Sequence, residues 1–99
     1  SRNQIKLTIS GISSEEAGAF RDDLIETTGV KNINPLSYEG EEAVWEVIYP
    51  GRSFALADTI GFYKDNPATF KALGLDCGRI NVAGVRRGEI NLNWTGGCN

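Results

Sequence analysis

The side chains that could carry chemistry in this chain are few. Cys77 and Cys98 are the only thiols, and there is no histidine, the commonest general base and a frequent metal ligand. Carboxylates gather in two short runs, "SSEE" from Ser13 and "EGEE" from Glu39, and two guanidinium groups adjoin in "VRRGE" at Arg86 and Arg87. No Gly-x-Ser-x-Gly, phosphate loop or dinucleotide fingerprint occurs. Catalysis would have to rest on isolated Asp, Glu, Lys, Tyr or Cys side chains. The expectation is therefore a non-enzymatic chain with no catalytic residues, no cofactor and no metal site.

Each conspicuous group also has a structural explanation. "SSEE" reads as a helix start and "EGEE" as a solvated hairpin tip that could offer at most a weak cation site. Cys98 stands one residue from the end in "TGGCN", where a thiol would be exposed. A disulfide to Cys77 is one reading; it would close a loop of about 20 residues and stabilise by roughly 3 kcal/mol. A buried Cys77 acting as a small hydrophobe, with Cys98 unpaired, is the other. A bridge would imply an oxidising compartment, periplasmic or otherwise extracytoplasmic. The chain begins at Ser1 and holds no methionine, which suggests a piece processed or excised from a larger protein.

Composition narrows the partners. Ninety-nine residues, 23% of them charged and 40% hydrophobic, make a single globular domain over residues 1 to 99. The formal net charge is −3, with basic residues scattered from Arg2 to Arg87, so no continuous positive field exists to hold nucleic acid. No apolar run approaches the roughly 18 residues that cross a bilayer, so direct membrane insertion is not expected.

The elements that must position these groups follow from periodicity. "IKLTISG" alternates, with Ile5, Leu7 and Ile9 on one face of a strand. Ser13 with Glu16 forms a capping box for a helix whose inward residues are Ala17, Phe20 and Leu24, with Arg21, Asp22, Asp23 and Glu26 facing water and Gly29 as the stop. Two alternating runs, about 31 to 38 and 42 to 49, predict a hairpin around Gly40. Asn34-Pro35 interrupts the first, which puts that strand at an edge or a bulge in it. Within the second, Ala43, Trp45, Val47 and Tyr49 share one face, and Val44, Glu46 and Ile48 the other. A second helix is expected with Ser53 as cap and Phe54, Ala57 and Ile60 inward. A short third helix is expected from the cap Asn66 to Gly74, and a closing hairpin about Arg87-Gly88.

The segment "ISGISSEEAGAFRDDLIETTGVKNI" with "EEAVWEVIYPG" resembles the first half of a heavy-metal-associated domain, over about residues 5 to 50. Ser14 and Ala17 stand where that family has its two thiolates, so the resemblance implies the fold and not the metal. The same half, through "TTGV", "AVWEVIYPG" and "LADTI", is similar to small ferredoxin-like accessory domains of bacterial periplasmic and outer-membrane assembly proteins. That likeness implies a structural or interaction module of a larger envelope protein. Acylphosphatases share the size and fold, but the corresponding loop here, "SGISSEEAG", carries glutamates that repel phosphate.

The reading is an α+β fold: an antiparallel sheet with helices on one face, ferredoxin-like in order, with an added C-terminal hairpin. Its function is expected to be non-catalytic protein interaction or envelope assembly, through the open sheet face or an edge strand. The partner would be a protein or neighbouring domains of the same chain, contacted by Tyr38, Trp45, Arg86, Arg87 and Trp94. Buried positions are the commoner role for the two tryptophans; the partner-binding role requires them on the helix-free face beside Val44, Ile48 and Tyr38. A small-ligand or glycan-binding domain using the same aromatics is the alternative.

Overall fold

The computed structural model describes residues 3 to 64 and 80 to 95. The predicted third helix and both cysteines, and with them the disulfide, lie outside the described residues. The remaining order is β1 (Gln4–Ser10), α1 (Ser14–Thr27), β2 (Asn32–Glu39), β3 (Glu42–Ile48), α2 (Ser53–Lys64), β4 (Ile80–Arg86) and β5 (Glu89–Trp94).

The fold is α+β, with five strands in the order β2-β3-β1-β5-β4. β3 lies antiparallel between β1 and β2, as a split βαβ unit requires. The second half departs from the expectation of a wholly antiparallel sheet. β5 inserts beside β1 and runs parallel to it, while β4 occupies the far edge, antiparallel to β5. The sheet is therefore mixed. The hairpin is integral to it, and the two hairpin tips fall at opposite ends of β1: Ser10 pairs with Glu42 at one end and Lys6 with Glu89 at the other.

One core lies between the sheet and the helices. Alternation sends Ile5, Leu7, Ile9, Ala43, Trp45, Val47, Ile90, Leu92 and Trp94 inward, where they meet Ala17, Phe20 and Leu24 of α1 and Leu56, Ala57 and Ile60 of α2. Phe20 is the pivot, with its ring centroid 6.1 Å from that of Trp45 and 5.6 Å from that of Trp94. The capping box forms as the sequence implies: the Glu16 amide donates to Ser13 Oγ and the Ser13 amide to Glu16 Oε1, each at 3.1 Å.

Two helical faces differ from expectation. Leu56 rather than Phe54 joins Ala57 and Ile60 in the core, and Phe54 is 56% exposed. Asp23, expected in water, is buried. Desolvation raises its carboxyl to about 6, and the charge of nearby Glu26 pushes the same way.

Candidate functional site

Tyr38 shows how one extra residue redirects a strand. The β2–β3 register shifts between Pro35 and Ser37, so Pro35 faces Trp45, Ser37 faces Val44 and Tyr38 faces Ala43. Leu36 is the added residue of this irregular step, and beyond it the alternation changes sides. Tyr38 thus lies on the helix side rather than on the open face, and its hydroxyl donates to the Ile12 carbonyl at 2.7 Å. Leu36 is left 58% exposed at the sheet edge.

The loop after β1 is tied at every step. The Gly11 and Ile12 amides both donate to the Glu41 carbonyl, at 2.8 and 3.0 Å. Gly11 has φ +86, and a Cβ there would stand 2.6 Å from the Trp94 carbonyl oxygen, so only glycine fits. Among the described residues no three Asp, Glu, Cys or His side chains stand close enough to share a metal ion.

Beside this loop, α1 and the edge of β2 leave a groove of about 380 Å³. Trp45 and Ala43 contribute its floor, Ala17 and Gly18 its helical wall, and Pro35, Leu36 and Tyr38 its strand wall, with Arg21 the one charged lining residue among the described residues. A Cβ on Gly18 would meet nothing within 4 Å, so the missing side chain is part of what keeps the groove open.

A second concavity, of about 530 Å³, lies at the opposite end of β1, lined by Gln4, Ile5, Gly51, Arg52, Ser53, Phe54, Arg87 and Gly88. Ser53 was expected to cap α2, but its hydroxyl binds the β4–β5 tip, donating to the Arg86 carbonyl at 2.6 Å and accepting from the Gly88 amide at 3.2 Å. Lys6 secures the same tip through its amide, 2.9 Å from the Gly88 carbonyl. Arg86 is exposed and pairs with Glu89 at 3.6 Å. Among the described residues neither Arg52 nor Arg87 forms an ion pair.

The open sheet face is polar. Its residues include Lys6, Thr8, Ser10, Asn34, Glu46, Asn91 and Asn93, some joined laterally, as Asn34 is to Glu46 at 3.2 Å and Ser10 to Glu42 at 3.1 Å. Val44 and Ile48 are its half-buried apolar members.

The sequence-predicted residues therefore separate. Trp45 and Trp94 are each only 4% exposed, because both belong to the inward phase of their strands. Their proposed contact role is corrected to a core role; Trp45 reaches the groove only as its floor. Tyr38 belongs to the groove, Arg87 to the second concavity, and Arg86 to the hairpin beside it. Leu36, Arg21, Arg52 and Phe54 were missed. For Leu36 the signal available was its place beside Pro35 in a strand interrupted by proline. Comparison with known proteins gives no match: no family model fits the chain, and no curated protein or solved structure is significantly similar.

Proposed function

We propose that the domain is a non-catalytic protein-interaction module, and that its docking surface is the edge of β2 with the groove between that edge and α1. The observation that carries this reading is Leu36, a large apolar side chain 58% exposed on the rim of a groove whose other walls are mostly apolar. The occupant is an extended segment of a protein partner with an apolar side chain for the groove and an acidic neighbour for Arg21.

Side-chain docking is favoured over simple strand addition. Proline has no amide hydrogen, and the irregular step at Pro35 and Ser37 breaks the row of backbone groups that an added strand would use. The glycan alternative loses its main support, since the tryptophans that would stack on a sugar are in the core. Kinship with ferredoxin-like envelope domains and an extracytoplasmic setting belong to the same proposal. They rest on the split βαβ half and on the cysteines of the sequence. No helix among the described residues is long and apolar enough to cross a membrane.

The experiment is a selection of binders from a random-peptide library, repeated with Leu36→Asp. Because Leu36 is exposed, the variant should keep its melting temperature and lose the selected peptides, whose shared motif pairs an apolar with an acidic residue. Peptides that bind Leu36→Asp as well as the parent would refute the groove as the docking surface.

A further inference from the structure

We infer that the concavity at the start of β1 is a binding site for a small oxyanion, a phosphate or carboxylate, carried on an aromatic or apolar body. Three observations support it. Two arginines from separate parts of the chain, Arg52 before α2 and Arg87 on the β4–β5 tip, line one space of about 530 Å³, and among the described residues none that lines it is acidic. Guanidinium groups bind such oxygens through paired, charge-assisted hydrogen bonds, and two arginines on one concavity favour an anion over a neutral group.

The second observation is pre-organisation. The Ser53 hydroxyl and the Lys6 amide hold the hairpin tip against the rest of the fold, so the backbone bearing Arg87 is fixed before any ligand arrives. The neighbouring Arg86 is set apart by its contact with Glu89, leaving Arg87 as the arginine of the tip that lines the space. Third, Phe54 lines the same concavity and is 56% exposed, an aromatic surface beside the charges that inorganic phosphate alone would not cover. The overall charge of −3 makes this a local positive site and not one part of a basic surface.

The test is an amide-resolved NMR titration of the whole chain with phenyl phosphate, inorganic phosphate and benzyl alcohol as separate probes. Phenyl phosphate should give saturable shifts at Arg52, Ser53, Phe54 and Gly88. The Arg52→Gln/Arg87→Gln double variant should bind it at least about tenfold more weakly, and Arg86→Gln should bind as the parent does. Phe54→Ala should weaken phenyl phosphate and leave inorganic phosphate unchanged. Amides of β1 and β3 in the core serve as the check that each variant stays folded. Shifts that fail to saturate by about 10 mM, or an Arg86→Gln effect equal to that of the double variant, would overturn the site. Equal affinity for inorganic phosphate, or equal shifts from benzyl alcohol, would overturn the ligand class.

Discussion

At each end of β1 a hairpin tip is fastened near the start of a helix, but by different means. The β2–β3 tip is held largely by main chain, the Glu41 carbonyl taking the Gly11 and Ile12 amides, with the Ser10–Glu42 and Tyr38–Ile12 bonds beside them and Gly11 packed against the Trp94 carbonyl at the end of β5. α1 begins there with Glu15 and Glu16 in its first turn, so the positive helix end meets its own acids. The β4–β5 tip is held largely by one side chain, Ser53, and the first turn of α2 has no acidic residue. The first end is thus closed and charge-compensated, and what it exposes nearby is an apolar groove. The second leaves two arginines around an open space. The same structural problem solved twice gives surfaces of opposite chemistry.

Gly11→Ala breaks the first end most severely. With a positive φ and a contact of 2.6 Å to backbone, it should cost about 3 kcal/mol or more, read as a large fall in the denaturation midpoint. Next in size is the titration of Asp23 in α1. Its folded-state carboxyl is raised from 3.8 to about 6, so the folded protein holds this proton more tightly than the unfolded chain does. Its contribution to stability is full below pH 3.8 and is lost as pH rises through about 6, a change of up to about 3 kcal/mol. Glu16 works the other way. Desolvation opposes its charge, but the Ser13 hydrogen bonds and the Trp94 indole prevail and lower its carboxyl below 4.5, so its contribution is lost only as pH falls further. Urea denaturation across pH 4.5 to 6.5 should therefore show stability falling as pH rises, and Asp23→Asn should flatten that slope.

Ser53→Ala tests the second end. It removes partners from the Arg86 carbonyl and the Gly88 amide and should cost about 1 to 2 kcal/mol, less than the closed end loses through Gly11. The smallest effect has the opposite sign. Gly18→Ala adds a methyl group where nothing lies within 4 Å, so it should stabilise α1 by about 0.5 to 1 kcal/mol. Because Gly18 lines the groove, the same change should weaken peptide binding, separating stability from function at one atom.

Much of the fold was legible because it depends on local pattern. Alternation placed Ile5, Leu7 and Ile9 on one face of β1 and Ala43, Trp45 and Val47 on one face of β3, though Trp45 and Trp94 were assigned to partner contact; Ser13 and Glu16 marked a helix start, and Gly40 and Gly88, both at positive φ, marked the hairpin tips. Pro35 correctly pointed to an edge strand and to an irregular step. The side on which Tyr38 falls was not legible, since it turns on whether an added residue precedes it. Asp23 follows Phe20 by three positions and so flanks the apolar stripe; spacing alone could not say that the flank is covered. The parallel placement of β5 beside β1 is a choice of strand order that no local pattern encodes. That Arg52 and Arg87 line one concavity depends on that choice, so the second concavity stayed hidden while the hairpin that forms it was read correctly.

The most direct test of the contrast between the two ends is a single NMR mapping experiment on the whole chain, with benzyl alcohol as the apolar probe and phenyl phosphate as the anionic one. The account predicts that benzyl alcohol shifts the amides of Gly18, Leu36 and Ser37, and that phenyl phosphate shifts those of Arg52, Ser53 and Gly88. Both probes gathering on the open sheet face, at Thr8, Asn91 and Asn93, would contradict it.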